Sequence, residues 1–106
     1  MNNKTTFFMD SPERARITGP LVLDTVAAVF SEARKAQENG KGFSEVDLKE
    51  VSRVDSSGLA LLLEWQATAR SRDNSIIIRN APADLLTLAR LCETDDLLTI
   101  ESRQAA

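Results

Sequence analysis

The chain has 106 residues, 42 % of them apolar and 27 % charged, with 16 acidic against 13 basic side chains and a net charge of −3. That length suits one domain with a single core, the fraction of apolar residues argues against wholesale disorder, and the acidic balance gives no electrostatic reason to expect nucleic acid as a partner. With no histidine and one cysteine, histidine-based triads, histidine metal sites and an intramolecular disulfide are excluded.

Residues 1–6 and 102–106 read as loose ends of a single domain spanning 1–106. The N-terminus lacks the apolar run of a signal peptide, and no apolar stretch approaches the roughly 20 residues that span a bilayer. A cytoplasmic location is expected, with membrane association only through a partner. Phe7-Phe8-Met9 suggests a short edge strand, stopped by Asp10-Ser11-Pro12, and Ala15–Thr18 its partner, ended by Gly19-Pro20. A helix is predicted over 23–37, where Leu23, Val26, Ala27, Phe30 and Ala33 follow helical spacing and Asn39-Gly40 marks the stop. Glu45–Leu48, with Val51 and Val54, reads as a strand running into a tight turn at Asp55. A second helix follows over about 58–72. Ser75–Ile78 is a short β-branched run suited to a buried strand, Asn80-Ala81-Pro82 opens a third helix, and 97–100 reads as a last strand. Cys92 falls in an apolar stretch and reads as a small buried hydrophobe. The order ββαβαβαβ predicts an α/β fold: a mixed, mostly parallel sheet of four or five strands with about three helices packed against it.

The informative segment is Arg53–Leu63. It holds Asp55-Ser56-Ser57-Gly58 at a strand-to-helix turn, where a parallel sheet collects its sites. The first N–H groups of a helix lack internal partners, so Ser56 or Ser57 suits the N-cap. The same position exposes a hydroxyl for phosphorylation at Ser57 or Ser56, or for contact with another protein. Wound at 100° per residue, Leu59, Leu62, Leu63 and Ala69 form a core face, with Gln66 at its rim. Leu61, Trp65, Thr68 and Arg72 lie off that face. Two readings of Leu61 and Trp65 stand side by side: anchors for a partner, or packing under a neighbouring element of the same domain. No glycine-rich phosphate loop occurs. Glu45, Asp47, Asp55 and Glu64 match no acid–base template, and Asp55 alone is too few ligands for a magnesium ion.

Asp55-Ser56-Ser57-Gly58-Leu59-Ala60-Leu61-Leu62 resembles the signature turn of STAS domains, the family of anti-sigma-factor antagonists and transporter regulatory domains. Ile17-Thr18-Gly19-Pro20-Leu21 is similar to that family's second strand and turn. The stretch Gly19–Val26 and the run Gly58–Leu63 followed by Trp65 look most like the STAS branch of Mla phospholipid-transport ABC systems. That resemblance implies a subunit without catalysis or cofactor, docked on the cytoplasmic ATPase in a complex with a membrane permease. The partner-binding residues would be Asp55, Ser56, Ser57, Gly58, Leu61, Trp65, Thr68 and Arg72. The alternative is an anti-sigma-factor antagonist that meets a serine kinase and is phosphorylated at Ser57. A nucleotide-binding enzyme is a third reading.

Overall fold

The computed structural model describes residues 4–38 and 42–101. Five strands and three helices alternate: β1 (Thr6–Met9), β2 (Arg14–Leu21), α1 (Val26–Glu38), β3 (Glu45–Val54), α2 (Ser56–Arg70), β4 (Ile77–Arg79), α3 (Ala83–Leu91) and β5 (Thr99–Ile100), with a 3₁₀ turn at Asp95–Leu97 before β5. The strands lie side by side in chain order, β1 antiparallel to β2 and the rest parallel. Each parallel crossover steps one strand in the same direction. Right-handed crossovers therefore put α1, α2 and α3 on one face of the sheet. The predicted α/β architecture is the observed one.

The core lies between that face and the helices. Ile17 and Leu21 of β2, Val46 and Leu48 of β3, Ile78 of β4, Val29 of α1, Leu62 of α2 and Leu85 of α3 are its largest fully buried side chains. The opposite face carries charges in alternation. Arg14 pairs with Glu45 at 3.0 Å, Glu45 with Arg79 at 2.9 Å, and Arg79 with Glu101 at 2.8 Å. Beside this chain Arg16 binds Asp10 at 2.9 Å and lies 4.3 Å over the Phe8 ring. Hydrogen bonds from Arg79, and then from Arg14, hold the Glu45 carboxyl below its ordinary pKa against the opposing effect of burial.

Several boundaries differ from the sequence reading. β2 does not end at Gly19-Pro20 but runs on to Leu21, through two register irregularities against β3. Gly19 makes this possible: its φ is +98°, and a Cβ there would stand 2.5 Å from the Lys4 carbonyl. Thr6 belongs to β1, and the Thr5 hydroxyl donates to the Pro20 carbonyl, so residues 5 and 6 are held and not loose, while residues 1–3 lie outside the described residues. β4 begins at Ile77, because the Ile76 backbone is engaged by the Gln66 side chain instead. Cys92 is exposed, not buried: α3 ends at Leu91, and Cys92 lies beyond its packed turns. The predicted stop at Asn39-Gly40 and the tail 102–106 lie outside the described residues.

Candidate functional site

β3 delivers Asp55 to the start of α2, where it is the N-cap. Its Oδ1 accepts from the Ser57 and Gly58 amides at 2.9 and 3.2 Å. Its Oδ2 accepts from the Leu23 amide at 3.1 Å. The cap is thus Asp55, not Ser56 or Ser57, and one carboxylate ties the loop after β2 to the head of α2. Gly58 is required by close approach: a Cβ there would sit 2.4 Å from the Leu21 carbonyl and 2.9 Å from Val54 Cγ1. Thr25 locks the same loop, its hydroxyl accepting from the Val22 amide at 3.0 Å and donating to the Pro20 carbonyl at 2.8 Å. The Thr25 carbonyl accepts the Val29 amide at 3.2 Å while its hydroxyl is engaged upstream, so α1 begins at Val26 and leaves Leu23 outside the helix.

Burial acts to raise the Asp55 pKa. The Leu23, Gly58 and Ser57 amides and the charge of Arg53 outweigh it, so the carboxyl titrates below its ordinary value. A carboxyl depressed in the folded state stabilises fully above its unfolded pKa of about 4, and that contribution is lost as pH falls through the lower folded value. Asp55→Ala is therefore expected to be about 1–2 kcal/mol less stable than the parent at neutral pH. Urea titrations should show the difference shrinking below about pH 3. A gap that stays constant with pH contradicts the ionised cap.

The two serines face different grooves. Ser57 is half-buried and lines a shallow groove of about 400 Å³ between α1 and α2, with Val26, Ala27, Phe30, Ala60 and Leu61, and with Glu64 at its rim. Ser56 is exposed and lines a second groove, about 580 Å³, with Val54, Ala83, Asp84, Thr87 and Leu88 toward α3. Asp55, Ser56, Ser57, Gly58 and Leu61 thus share the head of α2. The other predicted site residues do not join them. Trp65 is 3 % exposed and packs edge-on against Phe43 and Phe7, so it is an internal packing residue and not an outward anchor. Thr68 and Arg72 lie toward the far end of the helix, where they line a small cleft of about 100 Å³ with Trp65, Phe43 and Ile76. Leu61 is also buried, with only its edge at the groove. The sequence does not reveal two exposed apolar side chains, Phe30 of α1 at 40 % and Leu23 of the loop before it at 70 %. Both follow the apolar spacing of the predicted helix over 23–37, which does not by itself say which of those side chains meet solvent. The thirteen-residue α1 buries only Val29 and Ala33 fully, and its Phe30 faces outward.

A five-stranded mixed sheet with three helices on one face and an acid-capped, serine-bearing central helix is the architecture of a STAS domain. Solved structures agree at the level of fold. The anti-sigma factor antagonist SpoIIAA in its unphosphorylated form superposes with a TM-score of 0.67 at 17 % identity, over 95 % of this chain and 90 % of that one. The phosphorylated SpoIIAA of Bacillus gives 0.65 at 16 % identity, over 94 % and 93 %. Within that class, the family described as Mlab, STAS domain matches residues 8–99, and the chain belongs to it. It is 31 % identical over 84 residues to the intermembrane phospholipid transport system binding protein MlaB of Escherichia coli (strain K12), across 79 % of this chain and 84 % of that protein. The MlaB of Shigella flexneri matches to the same extent. Among the described residues no helix is long and apolar enough to cross a membrane.

Proposed function

We propose that this chain is a non-catalytic STAS subunit that docks on the cytoplasmic ATPase of a Mla-type phospholipid-transport ABC system, and is held at the inner membrane through that ATPase and its permease. The observation that carries the reading is the 84-residue match to the phospholipid-transport binding protein MlaB. The head of α2 supports it: an apolar groove beside ordered polar groups offers burial together with fixed hydrogen-bond geometry, as a docking site requires. Asp55 and Gly58 shape this surface from within, Ser57 and Leu61 line it, and Phe30 and Ala27 widen it. Ser56 extends the surface toward α3. Thr68 and Arg72 are a separate, lesser contact at the other end of the helix.

A tagged copy expressed in its own host is expected to bring down an ABC ATPase together with a permease. Recovery of a small serine kinase in their place would overturn the proposal. That outcome would favour the second reading, a phosphorylation-regulated antagonist, whose support is the Ser57 hydroxyl at the groove. Under that reading, incubation with the kinase adds one phosphate that Ser57→Ala abolishes. A phosphate there introduces close to two negative charges beside Asp55 and Glu64, enough to change what the groove accepts.

A further inference from the structure

Leu23 is more exposed than any large apolar side chain among the described residues except Leu91. A single exposed leucine is ordinary on a protein surface. This one stands on a backbone fastened at both sides: the Thr25 hydroxyl binds Val22 and Pro20, and Asp55 Oδ2 accepts the Leu23 amide. The other oxygen of the same carboxylate holds the Ser57 and Gly58 amides, so the Leu23 backbone is tied to the first turn of α2, whose Ser57 lines the α1–α2 groove. Ordering a side chain's backbone before association lowers the entropy lost on binding. The groove itself carries charge of one sign, although the exposed Arg53 lies close enough to act on Asp55. Asp24 and Glu64 are exposed, Asp24 following Leu23 and Glu64 at the rim of the groove, and no lysine or arginine lines that groove.

We infer that Leu23 is an anchor side chain entering an apolar pocket on the ATPase, that basic side chains rim that pocket and answer Asp24 and Glu64, and that Asp55 is the positioning residue presenting Leu23. The inference rests on the ATPase reading above. It joins an exposed leucine, a clasped loop and an acidic rim into one contact.

The test is calorimetric titration of the whole chain against the purified ATPase subunit. Leu23→Ala is expected to bind about tenfold more weakly or worse, since burying a leucine is worth that much, while its melting temperature stays that of the parent. Binding of the parent should weaken as salt is raised. Asp55→Asn separates the two jobs of the carboxylate. Asparagine is a good N-cap but has one acceptor oxygen where aspartate has two, so the cap survives and the Leu23 amide loses its partner. Hydrogen exchange at Leu23 should then quicken and the affinity fall. If the parent binds and Leu23→Ala binds equally well, the anchor is wrong while the ATPase reading stands. Unchanged exchange at Leu23 in Asp55→Asn removes the positioning role. A parent that does not bind the ATPase at all overturns both.

Discussion

Trp65→Ala is expected to lose about 3–5 kcal/mol of stability, the usual cost of removing a buried tryptophan. The melting temperature should then fall by at least about 12 °C. The ring is 5.2 Å from Phe43 at 80° and 6.2 Å from Phe7 at 64°, centroid to centroid, and the two phenyl rings are themselves 5.6 Å apart. These three rings join α2, the edge strand β1 and the segment entering β3. Aromatic pairs at such angles contribute beyond the area they bury. Neither phenyl can move into the space left by the indole without leaving its own contacts. Thermal and urea melts read the loss directly. A variant within about 1 kcal/mol of the parent would show that the cluster is not where the stability lies.

Gln66 carries the second large effect. Only 2 % exposed, it uses its amide as a strand would use its backbone: Oε1 accepts from the Ile76 N–H at 2.8 Å, and Nε2 donates to the Ile76 carbonyl at 3.0 Å. Nε2 also lies 3.2 Å from the Thr99 hydroxyl, tying α2 to β5. Gln66→Leu keeps much of the volume and strands both Ile76 groups in the interior. The expected loss is about 2–4 kcal/mol, with faster amide exchange at Ile76. A leucine variant as stable as the parent would mean that water reaches Ile76.

Much of the architecture is legible in the sequence. Alternating strand and helix signals set the order of elements, and right-handed crossovers did the rest. The start of α2 was harder to read, because Asp55, Ser56 and Ser57 are all good capping types and a one-residue shift changes which of them serves. Long-range geometry decides it: only Asp55 has a second oxygen to take the Leu23 amide from a loop 32 residues away in sequence. Trp65 was ambiguous for a related reason. The buried positions Leu61, Trp65, Leu62, Leu59 and Gln66 cover an arc of roughly 160° at 100° per residue. That arc is turned toward Trp65 relative to the face picked by Leu59, Leu62, Leu63 and Ala69. A helix flanked by α1 and α3 as well as by the sheet is apolar over too wide an angle for periodicity to locate its centre. The groove was illegible because it is made by α1, whose Ala27 and Phe30 follow core spacing yet meet solvent.

The charged reverse side of the sheet gives the molecule a back as well as a front. Among the described residues there, Arg14, Glu45, Arg79 and Glu101 satisfy one another in water, and Arg16 lies over the exposed Phe8 ring. Anything gripping the helices therefore leaves the reverse side bare. A fluorescent label or fused carrier placed on an exposed residue there, such as Lys49, should ride along without disturbing assembly, and it offers a fixed reporter of how the subunit is oriented.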